Sequence, residues 1–241
     1  MNPFSSYHPL LWPGDEQQMK LAREREQVAQ ASRHLAAEGL VVGTAGNVSA
    51  RAGELVAITP TGAALEDLTA EQITVVDPQG AHIDGDLAAT SELDLHLGVY
   101  QRYDAGAVIH THAPMATALS CVLDELPCIH YQLLLLGGPV RVAPYRTFGT
   151  PELAEVTLDA LDGRMAALMA NHGAIVYAHD LDAAVKQALL LEWACTVYWR
   201  AAAIGSPRAL DEEERQAVIT AAIERNYGRT KAAEPVIRHP E

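Results

Sequence analysis

Cysteine is scarce in this chain. Cys121, Cys128 and Cys195 are three residues among 241, an odd number with no Cys-x-x-Cys pair. That excludes a disulfide framework, fits a reducing cytoplasmic setting and leaves core packing as the expected use of all three thiols. Positive charge is also short: 17 Lys and Arg against 31 Asp and Glu give a formal net charge of −14. A bulk acidic balance argues against nucleic-acid or membrane-surface partners. It leaves room for an anionic small molecule held by local backbone N–H groups. The longest apolar run, LLLLGG at 133–138, falls far short of the ~20 residues that span a bilayer. The opening MNPFSSYHPLLWPGD lacks a basic segment followed by a long apolar one, so it does not read as a signal peptide. Neither a G-x-G-x-x-G fingerprint nor a P-loop lysine is present, and nucleotide binding is not indicated.

What the chain does have is an interspersed series of helical and strand-like periods. Residues 1–14 hold three prolines and no period, and are expected to form an irregular arm. From Asp15 the pattern turns helical, with Asp15 as cap, Leu21, Val28 and Leu35 on one face and Gly39 as the stop. Strand, turn and strand follow in GNVSARAGELVAITPTG, and ITVVD at 73–77 is a further strand. TSELDLHLGVYQRY predicts a helix with a Ser91–Asp94 capping box and a Leu93, Leu97, Tyr100 stripe. AGAVIHTHA reads as a strand, PMATALSCVL as a short helix, and CIHY and VRVAPY as strand-like. TPELAEVTLDAL is a helix with Thr150 as cap and Pro151 at its first position. MAALMANHGAIVYAHD is a strand pair bent at Asn171-His172-Gly173. Helices over 181–204 and 211–225 complete a single domain, 15–228, before a loose tail at 229–241. Such an order places the chain in the α/β or α+β class with a central mixed sheet.

Three places carry chemistry-bearing residues. His110 and His112 stand two apart at the end of the strand AVIHTHA, 107–113. Alternate strand residues share a face, so both imidazoles point the same way. Such a pair supplies two ligands of a tetrahedral zinc or is a chance arrangement at an exposed strand end. Val108 and Ile109 make the strand buried up to its histidines, and two unpartnered buried imidazoles would be costly. His172 in a turn, and Glu92 in a helix's first turn, are each ordinary alone. With the pair they make a complete zinc set. His96 lies one helical turn beyond Glu92 and reads as structural. GTAGNVS (43–49), TPTG (59–62) and Thr90-Ser91 are hydroxyl- and glycine-rich turns suited to a phosphate.

Taken in order, GTAGNVSAR, ITPTG, TSE, AVIHTHA, IHY, APYRTFGTPEL, NHG and the C-terminal YG resemble the class II aldolase/adducin family over roughly residues 20–230. The resemblance implies a three-layer α/β/α sandwich around a mostly antiparallel sheet. It implies one Zn2+ per subunit on His110, His112 and His172, with Glu92 completing the resting site and acting as acid and base. A phosphate would sit on Gly46, Asn47, Thr61, Gly62, Thr90 and Ser91. Tyr131, Phe148 and Tyr227 would shape the pocket, with Tyr131 or Tyr227 as proton donor. The implied activity is cleavage of a small ketose 1-phosphate to dihydroxyacetone phosphate and an aldehyde, in a cytoplasmic homotetramer with sites at subunit contacts. Epimerisation or decarboxylation of related sugar phosphates are the alternatives within the same fold. A non-catalytic adducin-like interaction module would not need the metal set.

Overall fold

The computed structural model describes residues 19–228 and Thr230. The expected arm at 1–14, the cap at Asp15 and the tail at 229–241, Thr230 apart, lie outside the described residues. Nine strands form one open sheet. They are β1 (Asn47–Ala52), β2 (Leu55–Ile58), β3 (Thr74–Val76), β4 (His82–Asp84), β5 (Ala107–Thr111), β6 (Glu125–Leu126), β7 (Val140–Ala143), β8 (Ala166–Met169) and β9 (Gly173–Ala178). Their order is β4-β3-β2-β1-β5-β9-β8-β7-β6. Every pairing is antiparallel except β7 with β8.

Strand alternation divides the core in two. Val48, Ala50, Ala107, Ile109, Ala174 and Val176 face a layer built on α1 (Ala22–Ala37), α3 (Pro114–Ser120) and α5 (Leu181–Ile204). Val56, Ile58, Val108, Ala167, Met169 and Ile175 face α2 (Leu93–Arg102) and α4 (Pro151–Ala160). A sheet buried on both faces reads as near-continuous apolar runs, which is how AVI and AIV came to flank the histidines. The α/β/α sandwich around a mostly antiparallel sheet is therefore what the chain forms. Among the described residues no helix is long and apolar enough to cross a membrane.

Local structure departs from expectation where distant contacts intervene. The first helix begins at Ala22, behind Leu21 in the left-handed region (φ 52°). The turn ahead of it is fixed from outside, since Lys20 N donates to Asp84 Oδ2 and the buried Arg25 donates to both Lys20 O and Asp84. The Ser91–Asp94 box does not form: Glu92 is the residue before α2 and no side chain caps that end. CIHY is not a strand, because Tyr131–Leu136 winds into a short 3-10 helix that His130 caps through Gln132 N. Cys128 and Cys195 are buried as expected, whereas Cys121 stands exposed just past α3. By contrast, Thr150 caps α4 through Leu153 N, and Asp211 and Glu214 form a reciprocal box on α6 (Glu212–Arg225).

Candidate active site

The site gathers at one end of the central strands, on the face toward α2. β1 starts at Asn47 and β5 ends at Thr111, and Asn47 pairs with His110 across the antiparallel ladder. Strand alternation puts Asn47, Ser49, Val108 and His110 on the α2 face, so His112 follows to the same side. His172 enters from the β8–β9 turn. Asn171 holds φ 55° there, a left-handed conformation that asparagine tolerates. Gly173 is required next to it, since a Cβ would collide with the Thr111 carbonyl oxygen. Gly46 is similarly confined: a Cβ would stand 3.1 Å from His110 O, at φ 96°.

The three imidazoles form a propeller. Ring centroids lie 4.8, 4.8 and 4.9 Å apart with interplanar angles of 74°, 73° and 78°. One ligand nitrogen from each falls within 4.8 Å of the others. His110 Nδ1 donates to Ala174 O at 2.9 Å, which leaves Nε2 with its lone pair directed inward, 2.9 Å from His112 Nε2. Glu92 closes the set, with Oε2 3.2 Å from His110 Nε2 and Oε1 3.5 Å from His172 Nε2. Oε2 also accepts from Asn47 Nδ2 at 2.9 Å, but Oε1 is buried with no hydrogen-bond partner among the described residues. Ring nitrogens converging from three imidazoles beside an orphaned carboxylate oxygen are costly to bury unless a cation satisfies them. The donor set therefore fits a divalent metal of the zinc type.

The electrostatics agree. Burial, reinforced by the neighbouring His110, pushes His112 and His172 down to about 4, so both rings are neutral near pH 7. Burial opposes the charge on Glu92, yet its carboxyl still falls below the ordinary range because His110, Asn47 and His172 together outweigh that cost.

Beside the histidines opens a cavity of about 410 Å³. Gly46, Asn47, Thr61, Gly62, Thr90, Ser91, Glu92, His112, Phe148 and His172 all line it. The hydroxyl-rich turns do converge: Thr90 N donates to Thr59 O and Thr61 N to Ala88 O, so backbone bonds staple 59–62 to 88–91. Asn47 differs from the other turn residues, because its side chain is committed to Glu92 and His96. Tyr131 and Tyr227 hydrogen-bond to each other at 2.9 Å and are not in this lining. Thr44, Tyr145, Arg146 and Asn171 also line the cavity, with no role assigned to them by the sequence; among the described residues Arg146 is the one cation there. Their neighbours in GTAGN, YRTFG and NHG were the available signal. A larger cleft of about 1050 Å³, between α1 and the start of α5, contains none of the triad.

An open, mostly antiparallel sheet bearing a histidine triad and a facing carboxylate defines an α/β/α protein with a donor set that could hold a metal ion. Residues 26–199 match the family described as Class II Aldolase and Adducin N-terminal domain, and the chain belongs to that family. It is 36% identical over 201 residues to a 5-deoxy-D-ribulose 1-phosphate aldolase of Bacillus thuringiensis serovar kurstaki, covering 82% of this chain and 94% of the relative. It is 40% identical over 202 residues to the L-fuculose phosphate aldolase of Escherichia coli K12, covering 83% and 92%. Among solved structures, an L-fuculose 1-phosphate aldolase superposes with a TM-score of 0.81 at 34% identity, over 84% of this chain and 97% of that one. Family and relatives together make the chain a class II aldehyde-lyase.

Proposed function

We propose that this chain is a zinc-dependent aldolase that cleaves a small ketose 1-phosphate to dihydroxyacetone phosphate and an aldehyde. One observation carries the reading: three inward imidazole nitrogens and the unpartnered Glu92 Oε1 border a cavity whose other wall is made of hydroxyl- and glycine-rich turns. Relatives named for 5-deoxyribulose 1-phosphate and fuculose phosphate support the substrate class. The cytoplasm is the setting of this reading, consistent with three unpaired thiols.

Bound by His110, His112 and His172, the zinc supplies Lewis acidity for the negative charge that develops on the ketone side of the broken bond. Neutral imidazoles leave most of that acidity available. Gly46, Thr61, Gly62, Thr90 and Ser91, with Asn47 at their edge, hold the phosphate and so keep the reacting carbons in register. Glu92 is anchored through Oε2 and serves as acid and base through Oε1. In cleavage it returns a proton to the carbon that departs with the phosphate; in condensation it removes that proton. In condensation the hydroxyl of Tyr131 or Tyr227 donates its proton to the aldehyde oxygen and is left as tyrosinate; in cleavage that tyrosinate takes the proton of the hydroxyl that becomes the aldehyde. Phe148 shapes the aldehyde side. Neither tyrosine lines the cavity of its own chain, while Trp199, Ile219, Ile223 and Tyr227 are exposed. That combination supports a homotetramer with sites at subunit contacts.

The test is a coupled assay for dihydroxyacetone phosphate release from L-fuculose 1-phosphate, 5-deoxyribulose 1-phosphate and related ketose 1-phosphates. Sugar-acid phosphates and pentulose 5-phosphates serve as decarboxylase and epimerase controls. Near-stoichiometric zinc and turnover on at least one ketose 1-phosphate are expected. Glu92→Gln should keep the metal and lose turnover. Full activity in that variant, or turnover on the control substrates alone, would overturn the reading.

A further inference from the structure

A buried line of polar side chains runs away from Glu92 into the layer between β1 and α2. Asn47 Nδ2 donates to Glu92 Oε2 at 2.9 Å, and Asn47 Oδ1 lies 2.5 Å from His96 Nε2. His96 Nδ1 is 2.7 Å from Ser49 Oγ, which is 2.7 Å from the Tyr100 hydroxyl. Asn47, Ser49, His96 and Tyr100 are all buried, His96 and Ser49 completely. Apolar residues such as Val108, Val56 and Leu97 make up this same layer. Four polar groups in an apolar layer are expensive unless each is satisfied, and here each is.

We propose that His96 is a positioning residue for Glu92: it fixes the Asn47 amide so that one carboxylate oxygen is tethered and the other is left free. The donor sense of the whole line follows from its first member. A carboxylate only accepts, so Asn47 presents its NH2 to Glu92 and its carbonyl to His96. His96 then donates from Nε2, accepts at Nδ1 from the Ser49 hydroxyl, and Ser49 accepts from Tyr100. If the ring carried its proton on Nδ1, the amide would turn and place its carbonyl against the carboxylate. Burial supports this arrangement by holding His96 neutral, at about 3, and by raising Tyr100 so that it stays a donor.

The chemical consequence lies at the other end. With Oε2 held by Asn47, Oε1 is the oxygen left without a partner, on the His172 side. A carboxylate tethered at one oxygen can swing the other between a metal and a substrate proton without losing its place. The inference rests on Glu92 being a ligand and base, as set out above. Groups that orient metal ligands typically matter about 10- to 100-fold in affinity or turnover.

Two measurements need no substrate. Long-range 1H–15N correlation spectra of the wild-type, metal-free protein should show His96 as the Nε2–H tautomer. An Nδ1–H tautomer overturns the proposal, whether or not any variant folds. Cobalt-substituted protein should show a changed visible spectrum in His96→Leu and a wild-type spectrum in His96→Gln, whose amide keeps an N–H toward Asn47. In the aldolase assay, His96→Leu should lower kcat about 10- to 100-fold with KM within about twofold of wild type, and His96→Gln should recover most of it. A folded His96→Leu with unchanged cobalt spectrum and unchanged kcat sinks the idea. Because the tautomer and cobalt readings ignore substrate identity, they separate failure of this proposal from failure to find a cleavable ketose.

Discussion

Gly173 shows how tightly a single residue can be bound to the site. It follows His172, opens β9, and faces the Thr111 carbonyl oxygen of β5 so closely that no Cβ fits. His110 Cε1 lies 3.4 Å from the same position. Gly173→Ala therefore pushes β9 off β5 where two of the three histidines meet. The expected outcome is a folded protein destabilised by about 1–3 kcal/mol, as for other overpacking changes, with the larger loss in metal affinity. Chelator-competition titration against zinc checks it: affinity equal to wild type would mean that the turn relaxes without moving His172. The same reasoning explains why the sequence could nominate His172 but not place it. Asn-His-Gly announces a turn, and only the pairing of β9 with β5 turns it toward His110.

At the scale of elements, legibility follows the reach of the contacts. Thr150 on α4 and Asp211 with Glu214 on α6 act within a few residues, and their helices begin where local chemistry says. The N-terminus of α3 has no such cap of its own. Its Met115 and Ala116 N–H groups donate to the two oxygens of Glu192, at 2.9 and 2.8 Å, from the middle of α5 some 77 positions away. Nothing near PMATALS signals this. Likewise the Glu92–Asn47–His96–Ser49–Tyr100 line joins a strand to a helix, and its only sequence trace is the successive i, i+4 spacing of Glu92, His96 and Tyr100 and the i, i+2 spacing of Asn47 and Ser49. The α3 contact makes its own prediction. A carboxylate satisfying two part-buried donors at a helix start is a pair of charge-assisted bonds. Glu192→Ala should lower stability by about 2 kcal/mol. Urea unfolding of the metal-free protein reads this. A change within a few tenths of a kcal/mol would mean that water replaces the carboxylate at no cost.

Burial holds three of the histidines, His96, His112 and His172, uncharged near neutral pH, and that gives the molecule a direction of response to acid. His112 and His172 fall to about 4 and His96 to about 3, in each case first through burial, against an ordinary value of 6.5. In the unfolded chain the same rings take up protons near the ordinary value. Between that value and the folded ones, the unfolded state binds more protons than the native state, so stability falls as pH falls. The contribution is fully present above about 6.5 and drains away down to about 4 for His112 and His172, and to about 3 for His96. His96, fully enclosed, adds a slope of up to about 1.4 kcal/mol per pH unit, and the two histidines at the cavity add less because solvent reaches them. Glu92, lowered in the fold, loses its contribution in the same direction but only at the acid end of the range. Urea midpoints of the metal-stripped protein should therefore drop steadily from pH 7 to pH 5, before most carboxylates titrate. Loading with zinc should steepen the loss, because protons then compete with the metal for the same nitrogens. A metal-free midpoint that stays level or rises over that interval would show that His96, His112 and His172 are solvated and charged in the native state, and their burial as neutral rings would be wrong.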